Sequence, residues 1–313
     1  MMSAMTLGAT LYMPCTRPDL FERLFGPVAV PGLRSAVLCL EDAVLDSDIP
    51  LAMAHLAALL RRLAQRDAVP GEPMIFVRPR DGAMLDHILR LPGIERVQGF
   101  VLPKAHADNM PAYLSLPYAP GHRLMPTLET REALDPYELR RLRDQLLAVQ
   151  DRILALRIGG NDLLQTMGLR RVAGRTAYDG PLSAVIGMLV SCFAPWGFAL
   201  SAPVFERFGD TSLLRDEVQR DVEHGLFTKS AIHPNQVPVI QAALAVPSHQ
   251  WREAQAILAP DSAAVFAHHG VMCEPSTHRG WAERTLARAD AFGVADPMDT
   301  PRRYRCAHED RGE

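Results

Sequence analysis

Between residues 7 and 245 the chain alternates eight times between a short apolar run and a helix-forming stretch. This predicts an α/β fold, a closed (β/α)8 TIM barrel, followed by a C-terminal helical arm or lid. The runs are near-continuous in Val, Leu, Ile and Ala, as in a parallel sheet covered by helices on both faces. Charged residues close the runs: Glu41, Asp42, Arg78, Lys104, Glu129, Asp162 and His233. Parallel barrel strands deliver their last side chains to one rim, so these residues are expected to meet there. Eight units favour a closed barrel over an open doubly wound sheet. The expected division is a barrel over residues 6–246, an arm over 247–293 and a charged, disordered tail over 294–313.

The elements follow in order. Residues 7–14 are a first strand closed by Pro14, and Thr16 and Pro18 open a helix after it. Residues 35–42 form a second strand, and 51–66 an amphipathic helix with its arginines on the outer side. Gly71-Glu72-Pro73 breaks the chain before a third strand over 74–80 and a helix over 81–91. The fourth strand, 98–104, ends in Pro103-Lys104, and a helix over about 107–114 leads to the fifth, which ends at Glu129. A charged helix over 136–150 precedes the sixth strand, 152–159, which runs on to Asp162. Residues 168–178, rich in Gly and Arg, read as a mobile loop. The apolar stretch 181–194 is a helix too short to span a bilayer. The seventh strand covers 198–205, a helix capped by Asp210 or Thr211 covers 211–224, the eighth strand covers 227–234, and a helix covers 235–245. A long helix over 248–268, an irregular piece over 270–275 and an amphipathic helix over 279–292 break the eightfold pattern and make up the arm.

Composition excludes several classes of protein. The 313 residues are 48% hydrophobic, enough for a large core, and the net charge of −3 is spread without a basic patch, so no nucleic-acid or membrane surface is expected. No apolar run reaches the roughly 18 residues of a membrane span. Met1-Met2-Ser3-Ala4-Met5-Thr6 has no signal-peptide pattern, and the expected location is cytoplasmic. The five cysteines (15, 39, 192, 273, 306) are scattered, without a C-x-x-C, and read as reduced thiols.

Two neighbouring parallel strands ending at Glu129 and Asp162 would set two hard oxygen donors side by side, a common way to hold a Mg²⁺ that keeps waters and a substrate oxygen. The plainer account is that both acids cap the helices that follow. Gly159-Gly160-Asn161-Asp162 lacks the spacing and the lysine of a phosphate loop. Lys104 is placed either to form a Schiff base or, as we favour, to balance the rim acids. His233 reads as a tether of the last βα turn, His268 and His269 as surface, Cys39 and Cys192 as small core residues, and Trp196, Trp251 and Trp281 as packing for the arm.

Six motifs then stand together in order: Leu40-Glu41-Asp42-Ala43-Val44, Val77-Arg78, Leu102-Pro103-Lys104, Leu128-Glu129-Thr130, Gly159-Gly160-Asn161-Asp162-Leu163, and Lys229-Ser230-Ala231-Ile232-His233-Pro234-Asn235-Gln236. With them the chain resembles the citrate lyase β-subunit and its relatives in the HpcH/HpaI aldolase superfamily, the group that includes malyl-CoA and citramalyl-CoA lyases, over about residues 7–292. The resemblance implies a Mg²⁺-dependent carbon–carbon lyase that cleaves or forms a β-hydroxy acid or its acyl-CoA thioester through a metal-stabilised enolate. It implies Glu129 and Asp162 as metal ligands and Arg78 as the grip on a substrate carboxylate. Glu41 and Asp42 are implied as an acidic pair beside the metal or its waters, and Glu274 as a proton donor serving a neighbouring subunit. Arg78, Lys104 and Glu129 are the residues expected to meet the substrate. A homo-oligomer, most simply a trimer, is expected with them.

The chain departs from the family at Pro79 after the strand-three arginine and at Asp46-Ser47-Asp48-Ile49-Pro50 after the Glu-Asp-Ala-Val motif. It departs again at Glu274, where relatives carry Asp. Arg17 and Arg23 are the candidates to hold the phosphates of coenzyme A. The competing readings are a divergent barrel acting as a binding or partner subunit, an aldolase on a non-CoA substrate, and a metal-enolate mutase.

Overall fold

A computed structural model describes residues 3–295. The chain forms two compact units, the first spanning Met1–Ala243 and the second beginning at Leu244.

The first unit is the barrel. Its strands are β1 (Ala9–Pro14), β2 (Ser35–Cys39), β3 (Met74–Arg78), β4 (Gly99–Leu102), β5 (Arg123–Leu128), β6 (Leu156–Ile158), β7 (Leu200–Ser201) and β8 (Lys229–Ala231). They form one sheet in the order β7-β6-β5-β4-β3-β2-β1-β8, every pair parallel. A parallel bridge between Ala202 and Lys229 joins β7 to β8 and closes the ring. The expected TIM barrel is therefore the observed fold.

Helices lie between the strands: α1 (Leu20–Phe25), α2 (Ile49–Ala64), α3 (Gly82–Ile88), α4 (Met110–Leu114), α5 (Pro136–Leu147), α6 (Gly160–Thr166), α7 (Leu182–Phe193), α8 (Thr211–Glu223) and α9 (Gln236–Ala243). In α2 the buried residues Ala52, Leu56, Leu59, Leu60 and Leu63 recur at the three- and four-residue spacing of one helix face. Asp81, Asp135 and Asp210 accept backbone N–H bonds in the first turns of α3, α5 and α8.

The barrel interior is layered by the period of two along each strand. Val37, Phe76, Met125 and Ala155 pack with Leu7 and Val101 into a dry plug. Two residues further on, Cys39, Arg78, Thr127 and Arg157 line a cavity, and two further again Glu41, Glu129 and Gly159 line its upper wall. A single alternation therefore converts an apolar floor into a charged mouth.

Several expectations are corrected. The seventh strand is two residues long, because Pro203 cannot donate to a ladder and ends it. The loop 168–178 is tied down: Arg171, Thr176 and Tyr178 are buried, Arg171 donates to Glu217 at 2.8 Å, and Tyr178 Oη donates to Asp221 at 2.6 Å. Trp196 is exposed and lies under the Arg143 guanidinium of α5, so it packs within the barrel unit. Cys192 is partly exposed.

In the second unit, β9 (Val246–Pro247) leads into α10 (Ser248–Leu258), then an antiparallel hairpin of β10 (Phe266–His268) and β11 (Val271–Cys273), then α11 (Pro275–Phe292) and β12 (Val294–Ala295), which pairs with β9. The helix expected to run to residue 268 stops ten residues earlier, just before Ala259-Pro260, since a residue preceding proline disfavours the helical region. The irregular piece is a hairpin turning at His269-Gly270, both with positive φ. The last helix starts four residues early because Pro275 suits a first turn. Val294 and Ala295, placed in the tail by sequence, are strand; the remainder of that tail lies outside the described residues. Among the described residues no helix is long and apolar enough to cross a membrane.

Candidate active site

Six of the seven strand-end residues, Glu41, Asp42, Arg78, Lys104, Glu129 and Asp162, meet in one place, whereas His233 lines a neighbouring pocket and stacks on the Phe208 ring at 4.9 Å. Arg78 closes β3, is 8% exposed, and makes ion pairs with Glu41 at 2.7 Å, Glu129 at 3.0 Å and Asp42 at 3.7 Å. Burial opposes its charge, but the Glu129 and Glu41 carboxylates outweigh that and hold its pKa above the ordinary value. Lys104 follows β4 with φ 51°, a left-handed conformation rare outside glycine. That turn aims its backbone N–H at Glu129 Oε1, 2.7 Å away, while its ammonium pairs with Glu41 and lies 3.6 Å from Asp42. Lys104 is thus engaged in charge balance at the rim.

The four acids differ in environment. Glu41 is buried, yet Arg78 and Lys104 hold its pKa below the usual value. Asp42 is pushed up to about 6 by partial burial and by Glu41 beside it. Glu129, 3% exposed, is pushed up to about 7 by burial, against the pull of Arg78 and with a further push from Asp162. Burial and the Glu41 charge raise Asp162 as well. Four carboxylates thus face Arg78 and Lys104 at the rim of a cavity of about 220 Å³, whose wall also carries Arg157.

The backbone makes room for this. A Cβ on Gly159 would lie 2.5 Å from Glu129 Oε2 and 2.3 Å from its Cβ, so only glycine lets β6 pass the Glu129 side chain. Asp162 stands in the first turn of α6, where the helix amides favour a negative charge. Glu274 belongs to the second unit, at the N-cap of α11, where its carboxylate accepts from Ser276 Oγ at 3.1 Å and Thr277 Oγ1 at 3.3 Å.

Mg²⁺ is the ion the resemblance implies, and Glu129 and Asp162 offer it hard oxygens. Among the described residues no group of three or more His, Cys, Asp or Glu could hold a metal ion; Glu129 and Asp162 would supply two oxygens to an ion that keeps several waters, as Mg²⁺ usually does. The raised pKa values of both acids come from burial and like charge, conditions a cation relieves. The donor set fits.

Sequence reasoning missed three groups that line the same cavity: Tyr12, Thr127 and Arg157. Each lies two residues along its strand from a neighbouring interior position, so counting back by two from Glu129 and Gly159 would have found Thr127 and Arg157. It also missed Arg80, which donates to Val44 O and pairs with Asp46, pinning the loop that carries Glu41 and Asp42. A larger pocket of about 400 Å³ shares Tyr12 and Ile232 with this cavity and is also lined by Arg17, Arg23 and Asn235. Asp19 binds both arginines, Arg17 through two bonds of 2.9 and 2.8 Å and Arg23 at 3.0 Å.

A closed parallel barrel with acids and cations gathered at the carboxyl ends of its strands is the framework of a TIM-barrel enzyme. The chain belongs to the carbon–carbon bond lyases of the TIM-barrel fold: the family model described as "C-C_Bond_Lyase of the TIM-Barrel fold" matches residues 1–294. The expected family and class of enzyme are therefore the observed ones.

Solved structures show the same fold. CitE from Mycobacterium tuberculosis in complex with magnesium, acetoacetate and coenzyme A is 23% identical, with a TM-score of 0.67 over 90% of this chain and 98% of that one. The citrate lyase β subunit of M. tuberculosis complexed with oxaloacetate and magnesium is 23% identical, with a TM-score of 0.56 over 77% of this chain and 99% of that one. RipC from Yersinia pestis is 21% identical, with a TM-score of 0.56 over 77% and 96%. A comparison with proteins of curated function gave no match.

Proposed function

We propose that this lyase is Mg²⁺-dependent and cleaves or forms the carbon–carbon bond of a β-hydroxy acid or its coenzyme A thioester. The observation that carries the reading is the gathering of four carboxylates, Glu129 and Asp162 among them, against Arg78 and Lys104 at the mouth of a cavity with room for a small acid. The magnesium in the CitE and citrate lyase β structures supports it. Glu129 and Asp162 hold the ion, which when bound acts as a Lewis acid for the negative charge that develops as the bond breaks. Arg78 and the Lys104 amide keep Glu129 oriented, and the Arg78 charge steadies an enolate. In cleavage a base takes the hydroxyl proton, the carbon–carbon electron pair passes to the acyl fragment, and an acid returns a proton to that carbon. Asp42, exposed and raised to about 6, suits a group that exchanges protons at the mouth. Glu274 of a neighbouring copy is the proposed acid for the carbon, in a homo-oligomer with trimeric symmetry. The pocket beside the cavity has room for part of a thioester's carrier, with Arg17 and Arg23 for its phosphates.

Titration calorimetry of Mg²⁺ with and without oxaloacetate tests the site. Binding that oxaloacetate tightens, and that Glu129→Gln and Asp162→Asn each abolish, is the expected result. Unchanged Mg²⁺ binding in both variants defeats the assignment. Light scattering tests the assembly, which a monomeric mass at micromolar concentration rules out.

A further inference from the structure

Arg157, in the middle of β6, is 1% exposed and stands among the largest fully buried side chains of the described residues. The other buried cations of the barrel have carboxylates: Arg78 has Glu41 and Glu129, Arg171 has Glu217, and Lys229 has Glu217 and Asp221. Arg157 meets no carboxylate among the described residues. Its guanidinium donates to Ser230 Oγ at 2.7 Å and to Met125 Sδ at 3.7 Å, and it lies 5.3 Å from the centre of the Tyr12 ring. Its Nε has no partner, and neither has Thr127 Oγ1, the neighbour across the β5–β6 register. A buried cation without an anion is costly, and the fold keeps it at a wall of the candidate active-site cavity.

The charge balance explains the position. Arg78 is already occupied by three protein carboxylates. With a divalent cation on Glu129 and Asp162 the rim charges cancel, and Arg157 remains as one uncompensated positive charge inside the cavity. We infer that Arg157 is a further substrate-binding residue, taking a carboxylate of the substrate inside the barrel, with Thr127 Oγ1 beside it as a second donor. The substrate class is then an acid whose far carboxylate points inward while its reacting end faces Glu129 and Asp162. This rests on the proposed lyase reading for the reacting end alone. The grip on the carboxylate follows from the orphaned cation.

The test uses Arg157→Met and Arg157→Lys, with Mg²⁺, oxaloacetate and pyruvate as probes in calorimetry and melting as a second readout. The inference expects Arg157→Met to melt higher than wild type, since removing an unpaired buried charge relieves the fold. It expects Mg²⁺ binding within about twofold of wild type and oxaloacetate binding weakened about tenfold or more, as for loss of a charge-assisted grip. Pyruvate should be affected less, and Arg157→Lys should recover part of the loss. Oxaloacetate binding as strong in Arg157→Met as in wild type overturns the inference. So does a lowered melting temperature in Arg157→Met combined with no recovery in Arg157→Lys, which marks a packing residue. If wild type binds no Mg²⁺, the lyase reading fails on its own, and the same comparison of oxaloacetate in EDTA still decides the role of Arg157.

Discussion

The backbone N–H of Lys104 donates to Glu129 Oε1 at 2.7 Å from a left-handed turn, while the side chain of the same residue pairs with Glu41. One residue thus orients one acid through its main chain and balances another through its ammonium. The separation yields a clear expectation. Lys104→Gly keeps the amide and suits the positive φ, so Mg²⁺ affinity should change by only a few-fold, in the direction of tighter binding, because a nearby cation is removed. Borohydride with pyruvate should leave no adduct on Lys104 by mass spectrometry, since an ammonium held by a carboxylate is a poor nucleophile. A trapped adduct would reverse the role assigned to it.

Gly159 is the second point of control. Its φ of −85° suits any residue, so Gly159→Ala meets no backbone strain, and its effect comes through the collision with Glu129. We expect a loss of about 1–3 kcal/mol in stability from overpacking and a marked drop in Mg²⁺ affinity. Urea unfolding and calorimetry on the same variant measure the two effects. Unaltered metal binding would show that Glu129 tolerates displacement.

The buried network of Lys229, Glu217, Asp221 and Arg171 holds the seam of the barrel. Lys229 pairs with Glu217 at 2.9 Å and Asp221 at 2.8 Å, all three nearly free of solvent. Removing one partner of such a set leaves buried charge uncompensated, so Lys229→Met should lose about 3–5 kcal/mol at neutral pH. Denaturant unfolding measures it, and loss below 1 kcal/mol would mean that the acids reprotonate or rehydrate cheaply.

His122 supplies a pH dependence with a definite sign. It is 2% exposed, its Nδ1 accepts from the Ala119 N–H at 3.1 Å, and its Nε2 therefore carries the proton donated to Ile94 O at 3.1 Å. Burial lowers its pKa from the ordinary 6.5. The unfolded chain then takes up a proton that the folded one does not as pH falls below about 6.5. Stability from this residue is full above that value and declines below it, by at most about 1.4 kcal/mol per pH unit. Unfolding midpoints at pH 7.5 and 5.5 should diverge in wild type and converge in His122→Gln; equal slopes in the two proteins would remove His122 as the cause.

What the sequence determined by itself is the barrel and the membership of its mouth. Strand ends are local features, and eight parallel strands must present their ends on one rim, so Glu41, Asp42, Arg78, Lys104, Glu129 and Asp162 can be grouped from sequence alone; the same rule also groups His233, which stacks on Phe208 in the neighbouring pocket instead. The element ends of the second unit beyond residue 258 are not legible in the sequence, because the pattern there is short and proline decides between helix and hairpin. Only the tertiary structure decided how the charges pair. Three acids converge on Arg78, Asp19 claims both Arg17 and Arg23, the loop at 168–178 is anchored by Arg171 and Tyr178, and Arg157 is left without an anion. Periodicity tells which side of a strand a residue faces. Which charge it meets depends on neighbours that arrive from distant parts of the chain, and that is settled when the ring closes.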